Sequence, residues 1–106
     1  LADAGNDAGL IIVMFPKLSI VIVDDMKSTR MVLKHTLEQA GYTDIRLAVN
    51  GMDALKAIVK RSADVMIVDW QMPKMDGLEL TRTVRRREIR HGNYTSILLL
   101  TGNDDK

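Results

Sequence analysis

Four positions in this chain carry groups that could do chemistry together: Asp24, Asp25, Asp69 and Thr101. Each follows an apolar run. SIVIV at 19–23 leads into Asp24-Asp25, DVMIV at 64–68 into Asp69, and ILLL at 97–100 into Thr101. Such runs do not alternate apolar with polar and read as strands buried on two faces. A strand that ends in a carboxylate delivers it to a sheet edge. If the sheet is parallel and the first and third strands are neighbours, the three acids fall within about 10 Å, two strand spacings. Carboxylates that close repel one another unless a cation neutralises them. Oxygen donors without histidine or cysteine favour a hard ion, most simply Mg²⁺, which keeps several waters and leaves room for a phosphoryl oxygen.

Positioning these groups falls to the segments between them. Val32, Leu33, Thr36, Leu37 and Ala40 recur at helical spacing, with Arg30, Lys34 and Glu38 on the other side. Ser28 or Thr29 is the expected cap and Gly41 the expected stop. Residues 45–49 form a weaker strand. After the Asn50-Gly51 break, Ala54, Leu55, Ile58 and Val59 mark a second helix. Leu78, Leu80, Thr81 and Val84 mark a third, over 77–90. From residue 19 the order is β-α-β-α-β-α-β. That order implies a parallel sheet with right-handed crossovers, helices on both faces and a binding edge at the carboxyl ends of the strands.

Composition narrows the class. One domain suits 106 residues, and 46% hydrophobic with 27% charged is an ordinary globular balance. A net charge of +1 provides no global field for nucleic acid or anionic membranes. The run Arg82, Arg85, Arg86, Arg87, Arg90 and His91 lacks interleaved aromatics and reads as a solvated helix face. No cysteine is present, which removes disulfides and thiolate metal sites and fits a reducing compartment. The longest apolar run, residues 10–15, is far below the roughly 20 residues of a membrane span and lacks the flanks of a signal peptide. A cytoplasmic protein is the expectation.

The segments IVDDMKSTR (22–30), VDWQMPKMDGLEL (68–80) and LLLTG (98–102), in this order and spacing, resemble the receiver domain of response regulators of two-component signalling, chiefly the chemotaxis type. The resemblance implies a flavodoxin-like doubly wound parallel sheet of order 2-1-3-4-5. It implies that Asp69 is the phosphoacceptor, a nucleophile toward a phosphohistidine of a histidine kinase or phosphotransfer protein. Asp24, Asp25 and Asp69 would hold Mg²⁺ with the backbone carbonyl of Gln71, and Thr101 would contact the phosphoryl group as the switch. The domain would be a signalling switch rather than a conventional enzyme. The receiver would stand alone, as in chemotaxis, or precede a diguanylate cyclase domain, as the likeness of NYTSILLLTGNDDK to such receivers implies.

Set against that family, residues 18–106 read as an incomplete receiver, without the fifth strand, the lysine after it and the last helices. Residues 1–17 read as an extension with an extra apolar, strand-like segment at 10–15. That segment has two outlets: strand exchange into a homodimer, or a tail. The competing functional reading is a non-phosphorylatable interaction or dimerisation module that keeps the acidic pocket.

Overall fold

The computed structural model of the chain describes residues 17–69, 77–91 and 94–100. The apolar segment at 10–15, Gln71 and Thr101 lie outside them. Within them run β1 (Ser19–Val23), α1 (Lys27–Gln39), β2 (Asp44–Ala48), α2 (Gly51–Lys60), β3 (Val65–Asp69), α3 (Gly77–His91) and β4 (Ser96–Leu100). The strands form one sheet of order β2-β1-β3-β4, and every pair is parallel. The expected strands at 45–49, 64–68 and 97–100 each sit one residue away from the observed ones. Asp69 is therefore the last residue of β3, paired with Leu100 of β4.

Handedness divides the helices between the two faces. The step from β1 to β2 runs opposite to the steps from β2 to β3 and from β3 to β4. Right-handed crossovers then put α1 on one face and α2 and α3 on the other. The main core lies on the second face. There Val21, Val23, Ala48, Met66 and Val68 of the sheet pack with Ala54 and Ile58 of α2 and Leu80 and Val84 of α3.

The α1 face is less completely covered. Ile20 and Ile22 of β1 are buried, but no residue of α1 is. Leu98 and Leu100 of β4 are exposed on this face, while Ile97 and Leu99 pack against the core on the other. The stripe expected on α1 is accordingly narrower than its spacing suggests. Leu33, Leu37 and Ala40 are half-buried, whereas Val32 and Thr36 face solvent. Lys34 and Glu38 pair at 2.9 Å on the surface, an i,i+4 contact of about 0.3–0.5 kcal/mol.

The helix ends correct one expectation and refine another. Ser28 and Thr29 lie inside α1; its N-cap is Met26, which makes no side-chain cap bond. The chain turns earlier because an Asp24 carboxylate oxygen accepts the Met26 N–H at 2.8 Å. Gly41 does close the helix, at φ 103°, a left-handed conformation that glycine adopts without a Cβ clash. Asn50 caps α2 by accepting the Asp53 N–H at 2.8 Å, and Asp53 accepts the Val49 N–H in return at 3.0 Å. The Asn50-Gly51 break is thus a reciprocal capping arrangement.

Polar networks tie down the edge opposite the acids. Arg46 donates to the carbonyls of Ala57, Arg61 and Ser62, closing the end of α2, and to Ser19 Oγ. Arg61 forks onto Asp44 at 2.7 and 2.9 Å. That hydrogen bond, with the Arg61 and Arg46 charges, holds the Asp44 carboxyl below its ordinary value. A lowered carboxyl contributes stability above the ordinary value of 3.8 and loses it as pH falls through the folded-state value. Asp44→Asn is therefore expected to flatten the acid limb of the stability profile, read as urea midpoints between neutral pH and pH about 3. An unchanged acid limb would remove Asp44 from the linkage.

The connection into β4 depends on Glu88. Its carboxylate accepts the Thr95 N–H at 2.6 Å and Arg85 Nη1 at 2.7 Å. Arg85 also donates to the Thr95 carbonyl and stacks on Tyr94, 4.6 Å from its ring centre. Thr95 is buried and its hydroxyl donates to the Ala63 carbonyl. Glu88→Ala strands a backbone donor and a guanidinium, and is expected to cost about 1–3 kcal/mol in chemical denaturation.

Candidate functional site

Two central strands deliver the acids. In register, Val23 of β1 faces Val68 of β3, so Asp24 and Asp69 follow side by side at the carboxyl edge. One carboxylate oxygen from each of Asp24, Asp25 and Asp69 falls within 4.8 Å of the other two. Leu100 of β4 pairs with Asp69, and Thr101 follows Leu100 in sequence.

The three acids sit in different surroundings. Asp24 is buried, Asp25 exposed and Asp69 half-buried. Asp24 is fixed through its backbone N–H, donated to the Ala48 carbonyl at 3.1 Å, and through its carboxylate on Met26. Burial pushes the Asp24 carboxyl above its ordinary value, and the Asp69 and Asp25 charges push the same way, against the Met26 N–H. The charges acting on it are both negative. A cation among the three carboxylates relieves that repulsion, and an all-oxygen donor set suits Mg²⁺. The residues present therefore fit a divalent ion of that kind.

Arg30 was placed on the outer side of α1 by its spacing. It is half-buried instead and reaches back to donate to the Asp24 carbonyl at 2.7 Å. Helical periodicity alone does not find such a bond, because a long side chain in the first turn can lie back over the preceding loop. Met26 was likewise not singled out; its contribution is a backbone N–H, which residue type does not reveal.

Comparison with known proteins places the chain in a family. The profile of the response regulator receiver domain matches residues 20–106. The chain belongs to the response regulator receiver domain family. It is 43% identical over 72 residues to "Probable histidine kinase 1" of Oryza sativa subsp. indica, covering 68% of this chain and 7% of that protein. It is 44% identical over 71 residues to "Sensor protein EvgS" of Escherichia coli (strain K12), covering 67% and 6%. The chain thus spans only a small part of the curated relatives it matches.

Among solved structures it is similar to the Vibrio cholerae chemotaxis protein CheY4, at TM-score 0.73 and 36% identity over 84% of this chain and 72% of that one. It is also similar to the receiver domain of the Arabidopsis thaliana histidine kinase CKI1 in complex with Mg²⁺, at TM-score 0.78 and 28% identity over 89% and 74%. The observed order β2-β1-β3-β4 agrees with the flavodoxin-like expectation for the strands described. No helix of the described residues is long and apolar enough to cross a membrane.

Proposed function

We propose that the chain is the phosphoacceptor module of a two-component pathway and that Asp69 is its acceptor. The observation that carries this reading is the convergence of Asp24, Asp25 and Asp69 carboxylates within 4.8 Å at the carboxyl edge of a parallel sheet. An Asp69 oxygen attacks the phosphorus of a phosphohistidine on a histidine kinase or phosphotransfer protein. A P–O bond forms, the P–N bond breaks, and the imidazole nitrogen leaves with the electron pair and takes a proton. Asp24, Asp25 and Asp69, with the Gln71 carbonyl, are the residues that would hold Mg²⁺. When bound, the ion supplies neutralisation of the phosphoryl oxygens.

The protein's own part is positioning. β1 and β3, central in the sheet, hold Asp24 and Asp69 against rotation, and the Met26 N–H and Ala48 carbonyl orient Asp24. Thr101, which follows Leu100 in sequence, is suited to donate its hydroxyl to an oxygen of the new phosphoryl group and so act as the switch. The resulting aspartyl phosphate shifts a conformational equilibrium and so changes partner binding. The Mg²⁺ complex of the CKI1 receiver and the kinase names among the relatives support this reading.

The test uses the full chain, a small-molecule phosphoryl donor such as acetyl phosphate, and intact-mass spectrometry. The expected result is a hydroxylamine-labile phosphoryl adduct that requires Mg²⁺ and vanishes with EDTA. Mg²⁺ alone is expected to raise the thermal midpoint, since it binds only the folded site, and Asp24→Asn to suppress that rise. No adduct despite an intact Mg²⁺-dependent rise would favour a non-phosphorylatable module.

A further inference from the structure

The second helix carries two apolar sides where one would suffice. Ala54 and Ile58 are buried against the sheet. A second set, Met52, Leu55, Lys56, Val59 and Lys60, runs along its flank at helical spacing and lines a groove of about 320 Å³, with Leu55 also packed against the core. Met52 is 45% exposed and Val59 56%, although both are large and apolar. The helix that carries it packs on β2 and β1, at the end of the sheet away from β4. Nothing in the acidic site uses it.

Charge indicates what fits there. Lys56 and Lys60 stand on the groove itself. Together α2 and α3, which pack against each other, carry seven lysines and arginines against three carboxylates, in a chain of net charge +1. Two of those carboxylates are engaged locally: Glu88 by Arg85 and Thr95, and Asp53 by the Val49 N–H. This helical layer is therefore positive with an apolar channel in it. A second copy of the chain docked by a two-fold would set Lys56 and Lys60 against the same lysines, which is repulsive.

We infer that the α2 groove is a docking site for an acidic amphipathic helix of a partner protein. Apolar side chains of the helix one turn apart enter between Met52, Leu55 and Val59, and carboxylates along its flanks meet Lys56 and Lys60. This site does not depend on Asp69 being phosphorylated, so the two readings fail separately.

The probe is a synthetic amphipathic helical peptide with leucines on one face and glutamates on the other, titrated into the ¹⁵N-labelled full chain. A lysine-for-glutamate peptide is the control. Expected are amide shifts confined to α2, affinity at least about tenfold tighter for the glutamate peptide, and weakening with salt. Val59→Asp, at an exposed position, should abolish binding with the circular dichroism unchanged. Lys56→Glu with Lys60→Glu should reverse the peptide preference. Equal binding of both peptides, shifts elsewhere than α2, or self-association through these residues would overturn the proposal. So would association with anionic vesicles in place of the peptide.

Discussion

Asp69→Asn is expected to abolish phosphoryl uptake while leaving the fold in place. The substitution keeps the shape of the side chain and removes the nucleophilic oxygen, so the labelling rate should fall at least about a thousandfold. It also takes one negative charge from a cluster in which Asp69 raises the Asp24 carboxyl. Without metal, the variant should therefore be as stable as the parent or slightly more so. The measurement is a paired one: adduct mass with acetyl phosphate, and the urea midpoint in EDTA. An adduct of unchanged yield would move the acceptor role to another carboxylate. Lost uptake with a collapsed midpoint would mean that Asp69 acts through the structure.

The largest stability effect is expected at Met66. It is fully buried and paired in register with Val21 on one side and Ile97 on the other. Its face of the sheet holds the main core, where α2 and α3 meet the strands. Met66→Ala removes the side chain from a site walled by two neighbouring strands and two helices, which cannot easily collapse onto the space. A loss of about 2–5 kcal/mol is expected. Small domains hold only about 5–15 kcal/mol in all, so urea unfolding should shift to a much lower midpoint. A loss below about 1 kcal/mol would show that the core repacks freely around this position.

Much of this was legible before any coordinates. Three unalternating runs and a weaker strand, alternating with helical stripes, implied the parallel sheet, and the carboxylates after two of those runs implied the cluster at one edge, because a strand fixes where its last side chain goes. Asn50-Gly51 and Gly41 were readable as boundaries for the same local reason. What spacing did not reveal depends on neighbours. Val32 and Val59 fit helical stripes yet face solvent, because a stripe is buried only where the sheet provides an opposing surface. Arg30 was read as solvated and instead holds the Asp24 carbonyl. Met26 became the N-cap of α1 because Asp24 drew the turn forward, a choice made by one carboxylate rather than by the propensity of Ser28 or Thr29.

The uneven cover of the sheet also has a kinetic side. Local opening is cheapest where few apolar contacts must be broken, and α1 buries no residue completely while β1 and β3 are held in the core. In hydrogen-exchange terms, α1 amides are expected to exchange through a low-energy opening and those of β1 and β3 through the global one. The first turn of α1 holds Asp24 through Met26 and Arg30. A fluctuation that frays it would loosen one carboxylate of the cluster while Asp69 stays on a strand anchored by the buried Met66 and Val68. The site thus joins a slow wall to a fast one, and the fast wall is where a change of charge at the acids would first be felt.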